Sequence, residues 1–362
     1  MINVTKTYLP SIEKYKKYID KIYQSGWLTN GGELTKELEV RLSQYLGVKN
    51  VLLVANGTLA LQVAYKVMGL KGDVLTTPFS FVATTSSLVW EGLNPIFVDI
   101  DRETFNINPN QIERKITQNT SAIVATHVYG NACDIEQINW IAEKYNLRVI
   151  YDAAHAFGVN YKNSNILNYG DASAISFHST KLFHTIEGGA IVFKDSELYE
   201  KAKRVINFGI ASPVEIQEVG INAKLNEFQA AMGLCVLDDI ETILINRKKR
   251  YNFYAEGLAS TEGVYFQRRN EEASLNYSHF PIVFETENIL LKIIDRLKVK
   301  QIIPRRYFYP SLESLPYLSS RQETVVSGDI AKRVLCLPLY DSLEHEVQEI
   351  IMQIIKQAIL EN

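Results

Sequence analysis

The chain has 362 residues, 46 % hydrophobic and 22 % charged, with 38 Lys and Arg against 41 Asp and Glu. That length exceeds one compact core and predicts a large domain followed by a smaller one. The slightly acidic balance argues against a nucleic-acid surface, no apolar run reaches a membrane span, and the three scattered cysteines, with no CxxC pair, read as thiols of a reducing compartment.

The opening MINVTKTYLPSIEKYKKYID carries charge throughout and no apolar leader core, so a cytoplasmic setting is expected. Next, Leu34, Leu38, Leu42 and Tyr45/Leu46 recur at helical spacing, with Gly47 placed to stop the helix. NVLLVA (50–55) is a short β-rich run, and TLALQVAYKVMG an amphipathic helix closed by Gly69. DVLTTP, NPIFVDI, TSAIVATHVYG and LRVIYDAA then read as strands, with SFVATTSSLVWEG and DIEQINWIAEKYN as helices between them. Strands alternating with helices predict an α/β fold with a mostly parallel sheet covered on both faces. DASAISFHS and GAIVFKD lie too close together for a helical crossover, which predicts an antiparallel pair there. IETILINRKKRYNFYAEGL reads as a long helix with a basic face leading into a second, α+β domain. That domain carries the strands GVYFQ and SHFPIVF and the helices NILLKIIDRLKVK and HEVQEIIMQIIKQAIL. The division expected is a large domain over 1–240 and a small one over 241–362.

Three strand ends carry chemistry. In ANGTLAL, Gly57 and Thr58 lie between a strand and a helix start, where free N–H groups and the helix dipole favour a phosphate. The same residues would serve as an ordinary helix cap. In VIYDAAHAFG, Asp152 ends an apolar strand, where open α/β sheets bind ligands. It needs a cationic partner or caps a following helix, and His155 lies three residues on. In ISFHSTKLFHTIEGGAIV, Lys181 follows Ser176, Ser179 and Thr180 and precedes Gly188 and Gly189. A lysine amine attacks carbonyls when desolvation lowers its pKa. An anion cradle, a carboxylate and an amine are the parts pyridoxal phosphate requires, and Phe81 in PFSFVAT is placed to stack on its ring.

The sequence resembles the DegT/DnrJ/StrS family of nucleotide-sugar aminotransferases over nearly its whole length, in order. The matching blocks are GWLTNGGELTKELEVRLSQYLGVKNVLLVANGTLAL, TPFSFVATTSSLVWEGLNPIFVDID, THVYGNACDIEQI, DAAHAFG, SFHSTKLFHTIEGGAIV, GINAKLNEFQAAMG, IIPRRYFYPSL with LPYL, and VLCLPLY. The resemblance implies the pyridoxal-phosphate transferase fold of type I and a homodimer with shared active sites. It implies Lys181 as the residue holding the cofactor's aldehyde and then moving the substrate proton. Asp152 would pair with the ring nitrogen, His155 lie near the ring hydroxyl, and Phe81 stack on the ring. Gly57, Thr58 and Ser176 would hold the phosphate, with Asn222 reaching in from the other subunit. Arg305 and Arg306 are candidates for a substrate phosphate or the donor carboxylate, or are plain surface arginines. The cofactor would alternate between pyridoxal and pyridoxamine phosphate as L-glutamate becomes 2-oxoglutarate and a nucleotide-linked ketosugar becomes an aminosugar.

The DAAHA block and RRYFYPSL resemble relatives that aminate C4 of a 4-keto-6-deoxyhexose linked to dTDP or UDP, the product feeding surface polysaccharide such as O-antigen or capsule. C3 amination of a 3-keto sugar and a catalytically silent cofactor-binding homologue are the alternatives. A metal enzyme is disfavoured by six histidines without HExxH or HxH spacing. A nicotinamide enzyme would carry GxGxxG after its first strand, and a related dehydratase would have histidine in place of Lys181.

Overall fold

Short β-rich runs stopped by glycine and asparagine assemble into one seven-stranded sheet. The computed structural model describes residues 1–318 and 322–361. In chain order its elements begin with β1 (Ile2–Asn3), α1 (Ile12–Ser25), α2 (Glu33–Leu46), β2 (Val51–Val54), α3 (Gly57–Met68), β3 (Asp73–Thr76), α4 (Val82–Trp90) and β4 (Asn94–Phe97). They continue with β5 (Thr120–Thr126), α5 (Ile135–Tyr145), β6 (Arg148–Asp152), β7 (Asn160–Tyr161), β8 (Ser164–Asn165), β9 (Ala172–Ser176), β10 (Gly189–Phe193) and α6 (Ser196–Val205). Next come β11 (Ile210–Ser212), β12 (Glu215–Ile216), α7 (Glu227–Asp238), α8 (Ile240–Leu258), β13 (Val264–Phe266), β14 (Phe280–Phe284) and α9 (Glu287–Val299). β15 (Ile302–Ile303), α10 (Val325–Arg333), β16 (Val334–Leu337) and α11 (His345–Leu360) complete the series.

The large sheet runs β2-β10-β9-β6-β5-β3-β4. Strands β9, β6, β5, β3 and β4 pair in parallel. β10 is antiparallel to both neighbours, as its short connection to β9 requires. The carboxyl ends of β2, β3, β6 and β9 therefore open on one edge, where open α/β sheets place their ligands. Alternate residues divide between two faces. Leu53, Ile123, Val149, Tyr151 and Ile175 join a core closed by α2, α5 and α7. Leu52, Val124, Ile150, Ala174 and Ile191 join another closed by α3 and α6.

Helix α8 leaves the first core at Ile240 and Ile243 and enters a third at Tyr254 and Leu258. That third core packs α8, α9 and α11 against the antiparallel sheet β13-β14-β16. A fourth cluster, with Phe79, Tyr129, Val283, Phe308 and Cys336, joins the two sheets. The basic face expected of α8 is interrupted. Arg247 is buried, because its guanidinium donates to the Tyr277 and Ser278 carbonyls at 2.9 and 2.7 Å.

Helix α2 is tied down from far along the chain. Glu227, 2 % exposed, accepts from the amides of Leu34 and Thr35 at 2.8 and 3.0 Å and from the Thr35 hydroxyl. A carboxylate here satisfies orphan donors and the positive end of the helix. Replacing Glu227 by alanine strands those donors, and a loss of about 2–4 kcal/mol is expected. The check is a fall of the thermal midpoint in Glu227→Ala, with Glu227→Gln losing less because its amide oxygen still accepts.

Candidate active site

Each strand end that the sequence marks is shaped by local chemistry. After β2, the Asn56 side chain caps α3 by accepting from the Leu59 amide at 2.9 Å, so the first turn of α3 faces the open edge of the sheet. Gly57 lies hard against the end of β9: a Cβ there would stand 2.9 Å from Ser176 Cβ. That contact brings Gly57, Thr58 and Ser176 to one place. The turn into β10 is equally close, since a Cβ on Gly189 would meet the Asn56 carbonyl carbon at 2.7 Å and the Ile175 oxygen at 2.8 Å. Backbone packing thus demands Gly189, while a Cβ on Gly188 would collide with the Thr185 side chain.

Asp152 ends β6 and is 6 % exposed. Its Oδ2 accepts from Thr84 Oγ1 at 2.6 Å, and its Oδ1 from the Ala154 amide at 3.1 Å. Thr84 spends its only proton on Asp152, so the 2.7 Å contact between Ser80 and Thr84 is donated by Ser80, and Thr126 donates to Ser80 at 3.1 Å. Three hydroxyls in series point at one carboxylate. Burial raises its pKa, opposed by the Thr84 hydroxyl, the Ala154 amide and the charge of Lys181.

Lys181 sits in the loop between β9 and β10. Phe177 and Phe183 anchor that loop, fully buried and edge-to-face at 4.8 Å, with Phe157 stacked on Phe183 at 4.7 Å. Its ends are tied by Phe177 N donating to Gly188 O at 2.8 Å and Thr185 N to Phe177 O at 2.9 Å. His184 lashes the loop to the N-terminal segment through a 2.8 Å contact with the Tyr8 carbonyl. Among the described residues no hydrogen bond or ion pair engages Lys181 Nζ. Burial pulls its pKa down to about 8, with the charge of Asp152 opposing.

A cavity of about 280 Å³ collects these groups: Gly57, Thr58, Phe81, Asp152, His155, Ser176, Lys181 and Arg305 all line it. Phe81 is half exposed at the start of α4. His155 stacks within 4° of the Phe308 plane, centroids 5.7 Å apart, and its buried Nδ1 has no partner. One candidate for this cavity, Arg306, is elsewhere. Arg306 donates to Glu287 at 2.6 Å and to the Lys332 carbonyl at 2.9 Å, and stacks on Tyr309 at 3.6 Å, so its charge is spent within the small sheet's surroundings. Asn222 is exposed and bridges Asn207, away from the cavity of its own chain. Three further groups were not anticipated from sequence. Thr84, one turn into α4, supports Asp152, and the signal for it was a hydroxyl-rich helix start beside a strand end. Asn276 donates to the carbonyls of His155 and Phe157 at 2.8 and 3.0 Å. His279 lines the cavity beside His155, ring centroids 4.3 Å apart.

The profile of the DegT/DnrJ/EryC1/StrS aminotransferase family matches residues 11–356. The chain belongs to that family. A dTDP-4-amino-4,6-dideoxy-D-glucose transaminase of Shigella dysenteriae is 43 % identical over 361 residues, 98 % of both chains. The transaminase of the same name from Escherichia coli is 38 % identical, covering 96 % of this chain and 95 % of its own. Among solved structures, DesI in the presence of its TDP-sugar product superposes with a TM-score of 0.93 at 31 % identity, covering 98 % of this chain and 92 % of that one. The chain is an aminotransferase, and its family is one of pyridoxal-phosphate enzymes. The aminotransferase site fits that group on its own terms. It combines a buried carboxylate, a lone amine of lowered pKa, an unpartnered imidazole nitrogen and a helix start whose glycine admits close approach.

Proposed function

We propose that this aminotransferase carries pyridoxal phosphate in the cavity and moves the amino group of L-glutamate to C4 of a dTDP-linked 4-keto-6-deoxyhexose. The observation that carries the choice of C4 is the likeness, across 98 % of both chains, to an enzyme named for a 4-amino-4,6-dideoxy sugar. The product is an aminosugar nucleotide suited to surface-polysaccharide assembly, and a cytoplasmic setting accords with that donor role.

Bound in the cavity, the cofactor supplies an aldehyde and an electron-accepting ring. The first turn of α3 with Gly57, Thr58 and Ser176 takes its phosphate. Asp152 keeps the ring nitrogen protonated, and His155 offers its unpartnered Nδ1 to the ring hydroxyl. Phe81 covers a ring face. Lys181 Nζ would hold the cofactor's aldehyde, and as the free amine it would take the proton from the donor's α carbon. In the second half the same amine returns a proton at the sugar carbon. Arg305 is free of any carboxylate among the described residues and is assigned a substrate anion.

The active unit is a homodimer in this reading, with Asn222 completing the phosphate site of the partner subunit. An exposed apolar stretch supports it: Phe208, Val214, Ile216, Val219 and Ile221, with Trp27 and Leu28, all face outward. The two-domain division at residue 240 belongs to the same reading.

The test is turnover of purified, cofactor-loaded protein with L-glutamate and both the 4-keto and the 3-keto nucleotide sugars. Formation of 2-oxoglutarate together with a 4-amino product is expected. Amination of the 3-keto substrate alone would overturn C4, and failure of both half-reactions would make the chain a silent homologue.

A further inference from the structure

The cavity holds a histidine that the chemistry above does not use. His279 directly precedes β14, beyond the reach of any strand-end motif. Its Nδ1 lies 3.1 Å from Ser278 Oγ. Ser278 has one hydroxyl proton and gives it to the Tyr129 carbonyl at 2.8 Å. The serine can only accept from the ring, so Nδ1 carries the hydrogen and Nε2 keeps a lone pair.

The segment bearing this ring is held from beneath. Arg247 clamps the Tyr277 and Ser278 carbonyls at 2.9 and 2.7 Å, and Tyr277 adopts a φ of 56° under that clamp. Asn276 accepts from the Ser278 amide at 3.2 Å while its own amide holds the His155 and Phe157 carbonyls. The Tyr307 ring meets His279 edge-on at 5.8 Å, closing the other side. Two loops remote in sequence are thus fixed so that one imidazole faces the cavity in one tautomer. Burial, followed by the charges of Lys181, Arg247 and Arg269, holds its pKa well below the ordinary histidine value, so the ring stays neutral and Nε2 is an acceptor only.

We infer that His279 determines specificity by accepting a hydrogen bond from the hydroxyl on the sugar carbon next to the one being aminated, which is C3 for a 4-keto substrate. The inference rests on the nucleotide-sugar reading above. An acceptor without a proton recognises a donor, and among the groups beside the reacting carbon only a hydroxyl offers one. A site built to bond a hydroxyl discriminates against an analogue that lacks it, because Nε2 is then left unpaired once the sugar covers it. Arg247 and Ser278 act through the ring as positioning residues.

Three measurements on the cofactor-loaded enzyme test this. His279→Phe keeps a ring and removes the acceptor. Its sugar half-reaction is expected to fall about 10- to 100-fold, and at least tenfold more than its glutamate half-reaction. His279→Gln, with an amide oxygen near the former Nε2, should recover most of the difference. Calorimetric binding of the 4-amino nucleotide sugar should weaken about tenfold or more in His279→Phe, while its 3-deoxy counterpart binds both proteins alike. Equal losses in both half-reactions, or equal weakening for the hydroxylated and deoxy sugars, would overturn the inference. If the unaltered enzyme aminates no nucleotide ketosugar, the functional reading fails instead, which the unsubstituted control reveals directly.

Discussion

Lys181→Ala is expected to lower turnover by at least about 10⁴-fold and to abolish the visible band of the bound cofactor. Nothing else in the cavity can replace the amine. Among the described residues the other Lys or Arg lining it is Arg305, whose guanidinium lies 4.7 Å over Tyr307 and is no nucleophile. Lys181→Arg should fail equally, because it restores charge without nucleophilicity. The pH dependence follows from the same burial. The amine attacks only when neutral, and its pKa is pulled to about 8. Cofactor uptake by the apo-protein should therefore rise with pH and level off above about 8. Stability of the apo-protein carries the matching sign. A folded pKa below the unfolded value of 10.5 means that the unfolded chain binds more protons between the two, so stability rises from about pH 8 to 10.5. Lys181→Ala should flatten that part of a denaturation series. A variant that keeps a tenth of the turnover, or an uptake curve still climbing toward 10, would remove Lys181 from the role.

The parts of this molecule visible in sequence are those fixed by neighbours along the chain. β2, β5 and β6 show as buried apolar runs because both faces of the sheet are covered, and Gly47 and Gly69 mark helix ends because each adopts positive φ there. Asp152 and Lys181 were legible for a related reason: a charge at the end of an apolar strand needs explaining. Helix α7 was not assigned from sequence, since nine of its residues are buried and no polar face gives a 3.6-residue rhythm. The arginine pair was ambiguous because adjacent residues diverge: Arg305 turns to the cavity and Arg306 to Glu287. Arg247 read as part of a basic face, yet its partners are two carbonyls 30 and 31 residues away. His279 had no local signal at all. Its tautomer depends on Tyr129, 149 residues from the serine that sets it.

Asp152→Asn is the second large effect expected, about 10³-fold in turnover, which corresponds to about 4 kcal/mol of transition-state stabilisation. The substitution preserves size and removes only the charge. The site is arranged for an anion: the hydroxyls of Thr126, Ser80 and Thr84 pass their hydrogens in one direction onto Oδ2, and the Ala154 amide donates to Oδ1. A carboxamide cannot accept on both sides. Its NH₂ must face either the Thr84 hydroxyl or the Ala154 amide, so the relay reverses or a buried donor is left facing another. With no negative charge beneath it, the ring nitrogen of a bound cofactor loses the partner that keeps it protonated, and proton removal at the donor's α carbon by Lys181 slows. The visible band should survive, because Lys181 is untouched, and this separates loss of electrostatics from loss of binding. Retention of more than a tenth of the turnover, with the cofactor bound, would mean that the carboxylate does not govern the ring.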